Sequence, residues 1–446
     1  MNFRKGMGVT TAATLLLSGT ALVAPAQAAT ERVECGQNVD HSLTLGNDIG
    51  PCTGDGLVVT TSNITINLGG RTITGSNTTN TTNQEQVGIR LVNVQNVKVI
   101  GRGTVTNFDA GVAIEGGSGN TVQQVSAVNN INHVTLTGAT NPCDFGDGIV
   151  LLDSDNNVIS RNLTENNGPY DGIGIIGESD NNTVSNNHSL NNRALNQLPN
   201  GDAGPCGPFG GGGGATPGPG RRDQNIGIRV EGPGADNNTV SENRVVNNLL
   251  NGITVHGHVC QPPPGFPTGP QPANTGNAIL RNTVHRNGFG SALQDGISIL
   301  SQGPLGTVTC PAQQTTIVAN TVTESARHGI FVSALSNNNT VSRNLVNNNG
   351  ADGILVRGPF TVCPFGQSVQ GVCQVPRESR PGSLSNTLIG NRGTGNAEHD
   401  GHDANPNCDA NRWQENLFAT VNQPCVAANG GTGTVTPPEG ITTGTP

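Results

Sequence analysis

The 446-residue chain carries a formal net charge of −9, and only 12% of its residues are charged. Its basic residues are scattered arginines, which argues against nucleic acid as a partner, because that needs a concentrated positive footprint. Aromatic residues make up 3% of the chain, with one Trp and one Tyr. Gly, Asn, Thr and Val dominate, and their apolar members are too regularly spaced for a disordered chain.

Residues 1–28 read as a secretory signal peptide. Arg4 and Lys5 precede a small apolar run from Thr11 to Ala24, and Ala26-Gln27-Ala28 meets the small-x-small cleavage rule. The run is too short to span a membrane. After cleavage the protein is expected to be soluble, secreted and free of the membrane, with Lys98 its sole lysine and a charge of −11. All ten cysteines lie in this part, and in an exported chain an even number favours disulfides over metal or catalytic thiols.

Residues 29–55 are expected to form an N-terminal cap closed by Cys35–Cys52, because an open solenoid end exposes strand edges. From residue 56 to 396 one phrase recurs, a Gly followed by alternating apolar residues. Examples are Gly88-Ile89-Arg90-Leu91, Gly111-Val112-Ala113-Ile114 and the copies starting at Gly148, Gly172, Gly227, Gly252, Gly296, Gly329 and Gly353. A second phrase follows each first one, as in Asn120-Thr121-Val122, Asn182-Thr183-Val184 and Asn339-Thr340-Val341. Another Asn comes three residues after its apolar member, at Asn162, Asn187, Asn243, Asn282, Asn320, Asn344 and Asn391. Alternation with period two marks short strands buried on one face. A unit of about 24 residues has room for three strands and three turns, and stacked units bury a continuous core. Asn at a fixed phase suits left-handed turns and lets its amide bond the equivalent amide one coil away.

These phrases resemble the right-handed parallel β-helix repeat family of exported bacterial proteins, the pectate-lyase-like and copper-maturation-type superfamily. The resemblance spans roughly residues 35 to 425. It implies an all-β, single-domain right-handed parallel β-helix solenoid of about 10–11 coils with disulfide-closed caps. It implies no particular reaction, because many activities share the scaffold.

Insertions interrupt the repeat at 131–146 and 188–225, before the glycine phrase, and at 257–275, 301–313 and 357–383, after it. They would form two walls beside one strand row, and enzymes of this fold bind polysaccharide in such grooves. Their cysteines suggest Cys143–Cys206, Cys260–Cys310 and Cys363–Cys373. Residues 397–426 read as a C-terminal cap with its own bridge, Cys408–Cys425, and 427–446 as a disordered tail.

On the glycine-phrase strand the outward positions alternate with the buried ones. Arg229 and Glu231 should neighbour Thr254 and His256 of the next coil. A further row precedes each Gly, and its members Asp171, Asp295 and His328 are candidate acid–base residues. Arg229 is expected to neutralise a substrate carboxylate, His256 to move a proton, and Glu231 or Asp171 to serve as partner acid. The competing reading is a surface ion pair of Arg229 with Glu231 or Asp295. A second polar cluster, Glu398, Asp400 and Asp403 with neighbouring histidines, would suit calcium or zinc.

Three functions compete on this reading. The first is a lyase, epimerase or hydrolase on an acidic polysaccharide, monomeric and with calcium as the cofactor to test. The second is a non-catalytic extracellular scaffold or glycan-binding protein. The third, a metal-handling exported protein, lacks a Met- or Cys-rich ligand set. Polygalacturonase-type Asn-Thr-Asp and Gly-His-Gly segments and the epimerase-type Asp-Pro-His-Asp stretch are absent from the sequence.

Overall fold

A computed structural model describes residues 29–76, 85–132, 145–195, 225–257, 272–290, 294–301, 311–362, 368–369, 372–373 and 378–436. These residues form three parallel ladders of short strands. One coil shows the scheme: Ile149–Leu152 carries the glycine phrase, Val158–Ser160 the asparagine phrase, and Leu163–Glu165 the third side. The next coil repeats it as Ile173–Ile176, Thr183–Ser185 and His188–Leu190, each strand pairing in parallel with its counterpart. The asparagine-phrase ladder is a 13-stranded sheet. The other two ladders meet at Leu417–Val421 and together make a 25-stranded sheet. The protein is an all-β parallel β-helix, and the described residues include two short 3-10 turns beside the strands.

The glycine phrase builds the core by register. Ile149, Ile173, Ile228, Ile253, Ile297, Ile330 and Ile354 stack one on another with no exposure. Full burial of each such side chain contributes about 1.5–3 kcal/mol. The glycine is required by close approach: a Cβ on Gly227 would lie 2.6 Å from the carbonyl oxygen of Gly252 and 2.3 Å from Val245.

The asparagines divide their work between two positions. The stacked Asn bonds its neighbours, while the residue before it takes the left-handed conformation, as at Asn156, Asn181, Asn237 and Asn338. Asn187 is a complete rung. Its Oδ1 accepts from the backbone N–H (2.9 Å) and the amide (3.0 Å) of Asn162. Its own amide donates to Ile159 O (2.8 Å) and Asn243 Oδ1 (3.0 Å). A third such row, Asn130, Asn167, Asn192, Asn248, Asn287, Asn349 and Asn396, closes the corner ahead of the glycine phrase.

Both ends continue the ladders. Gln37–Val39 pairs with Leu57–Val59, and Ile49–Cys52 with Thr72–Gly75. Thr432–Val435, in the segment expected to be a tail, pairs with Leu417–Val421. Cys35–Cys52 and Cys408–Cys425 are disulfide-bonded. Each of the other three expected pairs has at least one member outside the described residues. Part of the 357–383 insertion folds as antiparallel pairs, Phe360–Val362 with Glu378–Arg380 and Ser368–Val369 with Val372–Cys373.

The outward strip of the glycine-phrase ladder is not an open floor along its length. Ala113 and Val150 are buried with Val87, Ala110 and Phe145, and Leu152 and Ile176 pack against them. Phe145, from the first insertion, folds over the strip and makes it a packing surface.

Candidate functional site

The register places Arg229 between Gly174 and Thr254, and Glu231 between Ile176 and His256. From there a chain of charged groups runs across three coils. The Arg229 Nε donates to Asp171 Oδ2 at 2.6 Å, and its Nη1 donates to Glu231 Oε2 at 2.5 Å. Glu231 Oε1 then stands 3.5 Å from His256 Nδ1. The side chains of Arg229, Glu231 and His256 are 12%, 12% and 15% exposed.

Asp147, in the row before the glycine phrase one coil earlier, completes the group. The backbone N–H of Asp171 donates to Asp147 Oδ1 at 3.0 Å. Both aspartates are enclosed, and loss of water pushes both carboxyls upward, Asp147 to about 6. The Arg229 charge opposes that rise at each of them and is itself held firmly protonated by the surrounding carboxylates. Gly174 packs closely on the pair: a Cβ there would lie 3.2 Å from Asp147 Oδ1 and 3.3 Å from Asp171 Oδ2. Of the seven buried side-chain atoms without a hydrogen-bond partner among the described residues, two belong to this group, Oδ1 of Asp171 and Nε2 of His256.

An arginine reaching back to the aspartate of the preceding coil recurs in the solenoid. Arg90 binds Asp55 at 2.7 Å and also pairs with Glu115, but those carboxylates are 21% and 27% exposed. Arg327 binds Asp295 through Nε at 2.8 Å and Nη2 at 2.6 Å. Such pairs link coils. The Arg229 group differs in its second fully enclosed carboxyl and its unpaired atoms. Beside it Asn251, Thr254 and Ser298 form a closed hydrogen-bonded triangle, each contact 3.0 Å.

Two of the candidate catalytic residues stand elsewhere. Asp295 is taken by Arg327, and His328 Nδ1 lies 3.3 Å from Asp352 Oδ2. Further along the row, Asp352 Oδ1 lies 3.3 Å from His399 Nδ1 and 3.1 Å from His402 Nδ1. The three expected metal-binding carboxylates do not converge with them. Asp400 accepts from the Asn396 amide (2.7 Å) and from the backbone N–H groups of Ala419 and Thr420 (both 2.9 Å), so it ends the third asparagine row. Asp403 accepts from Trp413 Nε1 (2.8 Å), Asn405 and Asn411. Glu398 is exposed. The asparagine-row phase does not point to Asp400, which sits four residues after the last Asn of the row and not one coil further on.

No helix among the described residues is long and apolar enough to cross a membrane. No protein-family model matches the chain, and no curated protein matches it. Solved structures do. A tailspike protein double mutant of E. coli bacteriophage HK620, in complex with a pentasaccharide, is 11% identical with a TM-score of 0.51, over 88% of this chain and 61% of that one. The periplasmic alginate epimerase AlgG is 14% identical with a TM-score of 0.46, over 82% and 71%. The A-module of the Azotobacter vinelandii mannuronan C-5 epimerase AlgE4 is 13% identical with a TM-score of 0.43, over 90% and 91%. What the chain has in common with the tailspike is the fold, a parallel β-helix.

Proposed function

We propose that this protein is an exported β-helix enzyme acting on an acidic polysaccharide, and that Asp147, Asp171, Glu231 and His256, gathered by Arg229, form its proton-handling centre. The supporting observation is the pair of unpartnered buried atoms, Asp171 Oδ1 and His256 Nε2, at the two ends of one charged chain. Buried polar atoms are rarely left unpaired, and a bound substrate would complete both.

The chemistry follows from the environments. A desolvated carboxyl such as Asp147, pushed up to about 6, suits a general acid. An imidazole with Nδ1 toward Glu231 presents Nε2 as a general base. Together they suit protonation of a glycosidic oxygen or removal of a proton from a uronate ring. Arg229 is engaged with Asp171 and Glu231, which makes it a positioning residue. The tailspike that has this fold is in complex with a pentasaccharide, and the proposal extends a glycan ligand to this chain.

The test is incubation of the mature chain with a panel of uronate polymers, with and without calcium, following unsaturated products and reducing ends. Turnover lost in Asp171→Asn and in His256→Ala supports the centre. Turnover unchanged in both removes it. Glycan binding without turnover would favour the scaffold reading.

A further inference from the structure

We infer that Asp352, His399 and His402 form a binding site for one divalent transition-metal ion, with zinc the ion that suits the donors. The site is separate from the Arg229 centre and independent of the glycan reading. Its residues come from two neighbouring coils. Asp352 stands just before the glycine of the strand Ile354–Val356. His402 lies on Gly401–Asp403, opposite Leu355, and His399 lies just before that strand.

Distances fit a shared ion. One oxygen or nitrogen from each residue lies within 4.8 Å of the others. Asp352 Oδ1 is 3.1 Å from His402 Nδ1 and 3.3 Å from His399 Nδ1. Donors held about 2.0–2.1 Å from a tetrahedral zinc stand about 3.3 Å apart.

The proton inventory points the same way. His399 Nε2 lies 3.0 Å from the carbonyl oxygen of Thr436, which can only accept, so Nε2 carries the proton. In the neutral ring Nδ1 then turns a lone pair toward Asp352. His328 Nδ1 accepts the backbone N–H of Asp352 at 3.2 Å, so it too faces the carboxylate with a lone pair, 3.3 Å from Oδ2. Lone pairs crowded round one carboxylate repel unless a cation lies among them. Asp352 is 1% exposed, and its ion-pairing neighbours among the described residues are these three histidines, with no arginine or lysine.

One feature matches the outer shell of metal sites, where a second hydrogen bond fixes a ligand: the carbonyl oxygen of Thr436 accepts from His399 Nε2 and holds the ring. The half-buried His402 leaves one side for water or a further ligand. Two imidazoles and one carboxylate favour zinc over calcium, which takes oxygen donors.

The test is calorimetric titration of the chelator-treated full chain with zinc chloride at pH 7.5, where free imidazoles are neutral. One equivalent is expected to bind, with affinity falling ~100-fold or more in His402→Gln and in Asp352→Asn. Circular dichroism checks that both variants are folded, and cobalt(II) provides a second reading through its tetrahedral absorption bands. His41→Ala, which removes an exposed histidine paired with Glu31 and Asp40, should change nothing. Absence of zinc binding overturns the proposal and leaves a proton as the bridging cation. Binding that survives both site variants, or is lost with His41, overturns it as well.

Discussion

Asp147 and Asp171 occupy the same phase of successive coils, with the backbone N–H of one donating to the carboxylate of the other at 3.0 Å. Both are sealed from solvent, at 2% and 0% exposure. A repeat that places an aspartate before its glycine thus brings two buried carboxyls under one arginine.

That pair should set a pH dependence of stability. The Asp147 carboxyl titrates near 6 when folded against 3.8 for the free side chain. The native state therefore holds more protons than the unfolded chain between those values, and stability from this group falls as pH rises through them. Asp147→Asn keeps an acceptor for Asp171 and removes the charge. The variant is expected to gain on the native protein as pH goes from 4 to 7, by on the order of 1–3 kcal/mol. Thermal melts across that range decide it; a pH-independent difference would contradict the assignment.

Removing Arg229 should be costly. Arg229→Ala strands the buried carboxylate of Asp171 and the half-buried one of Glu231, and an uncompensated buried charge costs about 3–5 kcal/mol. Urea unfolding of Arg229→Ala, of Asp171→Asn and of the double variant should show strong non-additivity, the double being far milder than the sum. Additive effects would mean that the pair at 2.6 Å carries no coupling.

The asparagine rows offer a loss and a gain. Asn187→Ala deletes a rung that makes four hydrogen bonds and leaves buried groups unpaired on both sides, for an expected loss of about 3 kcal/mol. Thr315 occupies a rung of the first row, and its buried hydroxyl has no partner. Thr315→Asn should restore the acceptor for Asn277 and raise stability by about 1 kcal/mol. Chemical denaturation checks both signs.

The Cys408–Cys425 bridge closes a separation of 17 residues. Its replacement by a serine pair should destabilise by about 3 kcal/mol. Hydrogen exchange is expected to rise first in Thr432–Val435 and Leu417–Val421, which pair at the open end. Uniform loss of protection along the solenoid would show instead that the end is not a separate unit.

Much of this could be read from the chain. Period-two alternation after each glycine determined the three-sided coil and the stacked isoleucines. Because register follows from that phase, it also made Arg229 and Glu231 neighbours of Thr254 and His256. The cysteine spacing near each end marked the two terminal disulfides. The third asparagine row was equally present in the sequence, at Asn167, Asn192 and Asn248, but its signal is diluted where insertions follow it directly.

Other relationships were decided only by the tertiary structure. Phe145 covers part of the strip that alternation alone leaves outward. Arg229 turns to Asp171 and Glu231 and not to Asp295, which goes to Arg327. Asp400 and Asp403 spend their oxygens on amide and indole donors, while Asp352, from another coil, collects the histidines. The physical reason is one of range. Strand phase is a local property with two choices per residue, so sequence determines it. Which partner a long charged side chain reaches depends on how many coils lie between the two residues and on what an inserted segment covers, and neither is written in the local pattern.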